Sequence, residues 1–267
     1  MTKTLAVRLN DAKAELEKID VALKEQGSAL PEPVRQSLAD RVAFLGVLPH
    51  LQETILAREA AYEFLKDLPK STNQGMVALG ASRVPFRHAR LIGTQAYLSL
   101  KWSLADMIAA AAGFHLCSVN HTNHKGIGTR LVTHFAAESA EPYVAALVNR
   151  SLLNTFGWSI AVSYSLRNHF VHEAGGTKGG HYCFAGDGPE AEFALSENGW
   201  TAICNEARGQ KFTETMKRDA AWPMAPERDL RLLLKAFERD VDDALGVLLG
   251  SAIAVTKTNL AFMLGLD

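Results

Sequence analysis

An arginine, an asparagine and a histidine lie close together near the end of an apolar segment: Arg167, Asn168 and His172. Asn168 and His172 are four residues apart, so they share one face of a helix, and the Arg167 side chain is long enough to reach that face. A guanidinium binds phosphate through two parallel hydrogen bonds, and an imidazole exchanges a proton near neutral pH. These three residues, called the motif below, therefore predict chemistry on a phosphodiester.

The spacing Arg-x(4)-His is by itself a weak signal, so the surrounding sequence decides how specific the motif is. A second copy runs from Arg83 to His88, but it contains Pro85, which disfavours a continuous helix, and we interpret it as a chance match. The asparagine that follows Arg167 makes the later copy more specific. The alternative interpretation is an ordinary helix end, since cations are favoured in a last helical turn and Gly175-Gly176 is a stop signal.

The motif resembles the Arg-Asn-x(3)-His motif of the HEPN superfamily, all-helical domains that include many metal-independent ribonucleases. The apolar stretch from Gln95 to Ala109 is similar to the long helix that precedes the motif helix in these domains. The resemblance covers Phe86 to Ala174 loosely, together with the C-terminal helices, and is sharp only over the motif. It implies an all-α fold: a HEPN-like helical bundle with additional N-terminal helices.

The resemblance also implies a mechanism and a setting. His172 would act as general base or acid, Arg167 would neutralise charge on the phosphate, and Asn168 would orient the histidine or bind the phosphate. No metal or other cofactor is required, and the composite site would form where two motif helices meet in a homodimer. The RNA-cleaving enzyme would be a toxin or phage-defence effector with an antitoxin or another defence-system protein as partner. Ala174 stands where some family members carry a tyrosine that their partner modifies, which puts that form of control in doubt.

Composition and charge set bounds on these expectations. The 267-residue chain has a formal net charge of −1 and an isoelectric point near 6.8, which argues against a general nucleic-acid coat but leaves room for a local basic site. Three scattered cysteines fit a reducing cytosol, and no signal peptide is evident, so a cytoplasmic location is expected. The most apolar run, Ala244 to Val255, is shorter than the roughly 20 residues that span a bilayer, so no membrane span is predicted.

The N-terminal part of the chain, residues 1–80, is predicted to be a separate helical region. Its first helix has apolar residues at alternating spacings of four and three, a seam that pairs with another chain or, more often, packs on its own domain. The seam consists of Leu5, Leu9, Ala12, Leu16, Ile19 and Leu23. A second helical region, Val34 to Leu68, is interrupted near Pro49, and the polar stretch from Pro69 to Pro85 is predicted to be a linker.

Residues 81–267 are predicted to form the HEPN-like domain. Its helices are expected at about residues 86–112, 129–138, 142–156, 158–174 and 227–264, with a loop at 113–128. Residues 175–226 form an insertion that is predicted to be loop with at most a small β-hairpin, because glycines alternate there with short aromatic runs such as Trp200 to Ile203.

Two other interpretations of the sequence are a metal site and a non-catalytic function. His115, Cys117, His121 and His124 have side chains that zinc accepts, but their spacing matches no familiar zinc module, and we favour polar loop residues. The alternative function is a non-catalytic helical interaction module that binds RNA, nucleotide or a protein partner, which the near-neutral charge and the N-terminal seam suit.

Overall fold

A computed structural model describes residues 4–42, 47–68, 75–117, 154–172, 193–209 and 229–264, and most of these residues are helical. The α-helices are α1 (Leu5–Gln26), α2 (Glu32–Val42), α3 (Leu48–Asp67), α4 (Phe86–Cys117), α5 (Asn154–Arg167), α6 (Glu197–Arg208) and α7 (Leu230–Leu264). A 3-10 turn, Gly27–Ala29, follows α1, and a π-helix, Asn168–His172, follows α5. The predicted helical character is therefore confirmed for the described residues, with one small hairpin added.

The hairpin lies in the stretch that the sequence indicated to be a linker. Strand β1 (Met76–Leu79) pairs antiparallel with β2 (Ser82–Pro85), and the two-residue turn between them places Gly80 at a φ of 58°. Glycine adopts this left-handed conformation without steric cost, which suits it to tight hairpin turns. The linker prediction for Pro69 to Pro85 is wrong over these strands, because alternation over four residues is too short to distinguish from a polar loop.

The insertion contains a helix where strand or loop was expected. The Ser196 side chain accepts a hydrogen bond from the backbone of Gly199 at 2.9 Å and so caps α6 at its N-terminus. The buried residues of α6 recur at helical spacing: Gly199, Ile203, Cys204 and Ala207. The prediction of a strand near Trp200 to Ile203 is therefore wrong, since burial of this helical face outweighs the β-propensity of its residues.

Contacts divide the chain into two compact units, each built from segments that are distant in sequence. Unit 1 comprises Met1–Glu53, Leu104–Thr155 and Asp242–Asp267, and unit 2 comprises Thr54–Ser103 and Phe156–Val241. The boundary that the sequence suggested between residues 80 and 81 stays a prediction.

In unit 1, the apolar seam of α1 packs within its own unit. Five of its six residues are buried, and Leu23 is half-buried. Polar contacts join α1 to the C-terminal part of α7: Arg8 donates to Asp243 at 2.7 Å, and Lys257 forms an ion pair with Glu15. The seam therefore packs on its own chain, the commoner outcome for such a pattern.

In unit 2, the first part of α4 packs against α5 and the start of α7. The Trp102 indole donates to the Ser163 carbonyl at 3.3 Å, and its ring meets the Tyr164 ring edge-on at 5.2 Å. Apolar burial is nearly complete along these helices, at Tyr97, Leu98, Ile160, Val162, Leu166, Phe170, Leu234 and Phe237 among others. The motif is thus attached to a well-packed core.

Helix α7 is long and apolar enough over Leu230–Phe262 to span a membrane by length and composition alone. Of its most apolar window, 44% is buried inside the protein. A core helix of a soluble protein meets the same criterion, so the absence of a membrane span stays a prediction.

Candidate functional site

The motif lies where α5 changes from α-helical to π-helical hydrogen bonding. Arg167 is the last residue of α5, and Asn168 and His172 are the first and last residues of the π-helix. In a π-helix each N–H bonds to the carbonyl five residues back, so residues five apart lie one turn above one another. Since Arg167 and His172 are five apart, this geometry brings their backbone positions to one side more closely than an α-helix would. Single π turns inside helices occur frequently at functional sites.

A carboxylate on α6 contacts two side chains of the π-helix. The Asn168 Nδ2 donates to Glu206 Oε1 at 2.7 Å, and His169 Nε2 lies 3.0 Å from Glu206 Oε2. The His169 side chain is 13% exposed and that of Glu206 is 29% exposed, so these contacts are partly shielded from water. Each carboxylate oxygen thus contacts a different side chain of the π-helix.

Burial and these two contacts act on the Glu206 carboxyl in opposite directions. Burial by itself would raise its pKa, whereas the contact with His169 and the hydrogen bond from Asn168 lower it, and the net pKa lies below the ordinary value. Glu206 is therefore ionised at neutral pH and supplies a negative charge beside the motif.

Arg167 contacts two neighbouring side chains, and one of its donors has no acceptor among the described residues. Its Nη1 donates to Asn168 Oδ1 at a long 3.4 Å, and its guanidinium carbon lies 5.9 Å from the centre of the Tyr164 ring. The Nε atom is buried and makes no hydrogen bond within the part of the chain that the structure describes. A guanidinium donor that lacks an acceptor among the described residues is a group of the kind that binds an anion such as a phosphate oxygen.

Helix α4 supports the π-helix from within unit 2. The Gln95 side chain donates to the Phe170 carbonyl at 2.6 Å, and the Phe170 ring is fully buried. Because π-helical geometry departs from the regular α-helical ladder, a side-chain donor to one of its carbonyls helps to keep backbone groups satisfied.

The structure places the predicted residues unevenly. Arg167 and Asn168 are in contact, whereas for His172 only the backbone belongs to the described residues, and its side chain lies outside them. In the chance copy, Arg83 belongs to β2 and His88 to α4, so these two do not share a helix, as Pro85 indicated.

The histidine and cysteine cluster cannot be placed. His121 and His124 lie outside the described residues, as do the side chains of His115 and Cys117, although α4 continues to Cys117, five residues past its predicted end. Among the residues that the structure does describe, no group of three or more His, Cys, Asp or Glu side chains is arranged to hold a metal ion.

Two residues of the site were missed by sequence reasoning: His169 and Glu206. His169 lies between Asn168 and His172 and is visible in the sequence as a second imidazole, but adjacent residues of a regular helix do not face each other, so spacing gave no reason to choose it. Glu206 is 38 residues from Asn168. The Ser196 cap and the helical spacing of buried residues in α6 were the available signals for its helix.

A groove in unit 1 combines apolar and charged side chains. It has a volume of about 460 Å³ and lies between α1 and α7. Ala12, Leu249 and Ile253 contribute apolar surface, and the ion pair of Glu15 with Lys257 lies at its wall. The motif residues do not line it.

No family model matches the chain, and neither a curated protein nor a solved structure shows significant similarity to it.

Proposed function

We propose that the chain is a metal-independent endoribonuclease of the HEPN type, with Arg167, Asn168 and His172 as its site. The observation that carries the proposal is the Arg167 guanidinium, which is half-buried beside Asn168 and Tyr164 and keeps its Nε donor without a partner in the described residues. Arginine, asparagine and histidine at this spacing, on the last turns of a helix in an otherwise helical chain, agree with the motif of that superfamily.

The proposed reaction is transesterification within the RNA. A general base removes the proton of a 2′-hydroxyl, the 2′-oxygen attacks the adjacent phosphorus, and the bond from phosphorus to the 5′-oxygen breaks. A general acid returns a proton to that leaving oxygen, so the products are a 2′,3′-cyclic phosphate and a 5′-hydroxyl end. His172 is the proton-transfer residue, and Arg167 stabilises the charge that builds on the phosphate oxygens.

Asn168 has a different part in this proposal from the one expected of it. Its amide is engaged on both sides, with Nδ2 on Glu206 and Oδ1 on Arg167. Asn168 therefore orients the arginine, and through it the phosphate, without itself transferring a proton.

One motif per chain supplies one imidazole at position 172, whereas the reaction needs both a base and an acid. A homodimer that brings two motif helices together supplies the second group. The proposal further includes a HEPN-like bundle, a cytoplasmic setting, and a role as toxin or defence effector with a partner protein that restrains it.

The test is incubation of a labelled RNA with the purified protein in EDTA. We expect cleavage that leaves 2′,3′-cyclic phosphate ends and spares DNA, which lacks the 2′-hydroxyl. His172→Ala and Arg167→Ala should each reduce the rate by roughly 10²- to 10⁴-fold. His88→Ala, in the chance copy of the motif, is the control and should retain the wild-type rate. Full activity of a folded His172→Ala variant would show that the assignment is wrong.

A non-catalytic interaction module is the second candidate, and the groove between α1 and α7 favours it. Its mixture of apolar surface and charged walls suits a bound partner without requiring chemistry. The same incubation separates the candidates, because such a module would bind RNA or a protein and leave RNA intact in EDTA and in magnesium alike.

A further inference from the structure

Glu206 joins the two side chains that follow Arg167 in the chain. Its two oxygens contact Asn168 at 2.7 Å and His169 at 3.0 Å, and it reaches them from α6 across 38 residues of sequence. A carboxylate that accepts from Asn168 and pairs with the His169 ring restricts the rotamers of both side chains. The side chain nearest to Arg167 is therefore fixed from outside its own helix.

The fixed orientation of the Asn168 side chain also affects the orientation of Arg167. With Nδ2 bound to Glu206, the amide is oriented so that its Oδ1 faces the Arg167 guanidinium. The Tyr164 ring lies 5.9 Å from that guanidinium, so Arg167 is positioned by an amide and a ring. An arginine that is pre-oriented loses less conformational freedom when it binds a phosphate.

We propose that Glu206 is a positioning residue for Arg167, acting through Asn168, and that α6 is therefore part of the proposed RNA-cleaving site. This inference rests on the proposed function and adds to it a residue and an element from the insertion, which lies outside the common core of the resembling domains. Glu206 does not transfer a proton to RNA. It keeps the guanidinium in the orientation that receives the phosphate.

The carboxylate is suited to this role at neutral pH. Its pKa is lowered by His169 and Asn168 in spite of the burial that would raise it, so both of its oxygens are acceptors under assay conditions. Arg208 on the same helix is exposed and donates to Asn205, away from the motif. Glu206 is accordingly the α6 residue to change.

The first experiment compares two substitutions of Glu206 with a matched control. Glu206→Ala removes the acceptor for Asn168, and we expect kcat for a labelled RNA to fall about tenfold to a hundredfold, because small displacements of a positioning group carry losses of that size. Glu206→Gln retains an oxygen acceptor for Asn168, so most of kcat should return.

Asp240→Asn is the matched control. Asp240 is also 29% exposed and also accepts from the motif-bearing helix, at Ser159 of α5, but it does not contact the motif residues. Its kcat should equal that of the wild type. If Glu206→Ala retains the wild-type kcat, or if Asp240→Asn loses as much as Glu206→Ala, the positioning role is wrong.

A charge exchange keeps the inference testable when Glu206→Ala unfolds. Asn168→Asp places a carboxylate against Glu206 and should lower kcat by a similar factor through repulsion. The double variant Asn168→Asp with Glu206→Gln restores a hydrogen bond between the two positions, because the glutamine amide donates to one aspartate oxygen. The other aspartate oxygen faces Arg167. Recovery of kcat in the double variant supports the contact, and no recovery contradicts it.

A second readout separates this inference from the proposed function. If the wild type cleaves no RNA, the ribonuclease proposal fails. The orientation of Arg167 is then followed through its Nε–H signal in nitrogen-15 NMR. The signal is assigned by its loss in Arg167→Lys. Positioning is supported if the chemical shift of this signal in the wild type differs from that of mobile arginines and moves to their value, with a narrower line, in Glu206→Ala. A signal that is identical in both proteins overturns it.

Discussion

Glu238 in unit 2 contacts one buried and one more exposed cation. It lies 3.4 Å from the Arg58 guanidinium and 2.8 Å from the Lys235 ammonium, and it accepts from the Tyr97 hydroxyl. Burial would raise its pKa, but Arg58, Lys235 and Tyr97 together lower it. Since Arg58 is only 2% exposed, this pair is shielded from water and its partners depend strongly on each other.

Removing the Glu238 carboxylate should therefore be costly. We expect Glu238→Ala to lower the free energy of unfolding by about 3 kcal/mol, because the buried Arg58 guanidinium loses the carboxylate facing it. Glu63→Ala, which removes the partner of the exposed Lys66, is the control and should change stability little. Urea unfolding of both variants measures the difference, and equal midpoints would contradict the role of Glu238.

Helix contacts at two glycines illustrate how packing decides the effect of the same substitution. At Gly93 of α4, an added Cβ would lie 2.7 Å from a Leu65 methyl and 2.9 Å from a Phe64 ring carbon of α3. At Gly250 of α7, an added Cβ would meet no atom of the described residues within 4 Å. The first glycine permits a close approach of two helices in unit 2, whereas the second only weakens its helix.

We accordingly expect opposite signs for two alanine substitutions. Gly93→Ala should destabilise the protein by roughly 1–3 kcal/mol through overpacking against the buried Leu65. Gly250→Ala should stabilise it by roughly 0.5–1 kcal/mol, since alanine has the higher helix propensity. Thermal and urea unfolding of the two variants tests both signs, and a stabilised Gly93→Ala would show that α3 and α4 are not in close contact there.

At the scale of the whole molecule, several carboxylates have pKa values below their ordinary range. Lys18 and Lys257 hold the pKa of Glu15 at about 2, against an ordinary value of 4.5. The pKa values of Glu206, Asp229 and Glu238 are lowered as well, because their hydrogen-bond and ionic partners outweigh the burial that would raise them. A lowered carboxyl pKa means that the unfolded chain takes up protons at a higher pH than the folded chain does.

Stability should therefore fall as the solution is acidified. These contributions are present at neutral pH and are lost progressively from about pH 4.5 toward pH 2 as the folded carboxyls become protonated. Urea midpoints measured from pH 7 to pH 3 should decrease monotonically below pH 5. High salt should reduce the contribution of the exposed Glu15 ion pairs to this pH-dependent stability more than the contribution of Glu238, since salt screens exposed charges most. A midpoint that rises on acidification would contradict the assignment.

The sequence alone was sufficient for the features that repeat at helical spacing. The seam of α1 and the apolar face of α7 predicted helices that the structure contains, because a buried helical face requires apolar residues at that period. The sequence also predicted that Arg83 and His88 do not share a continuous helix, because Pro85 lies between them, and the structure places Arg83 in β2 and His88 in α4. The roles of the motif residues stay predictions.

Only the tertiary structure decided which distant residues meet the motif and which short segments become strand or helix. The hairpin at residues 76–85 and helix α6 have weak or conflicting local signals, so pairing and burial settle their conformation. The π-helix that begins at Asn168 accepts a hydrogen bond from Gln95 of α4 at the Phe170 carbonyl, a contact that residue spacing does not reveal. Glu206 contacts Asn168, 38 residues away in the sequence, because their helices pack together. Residue spacing does not predict which helices pack together.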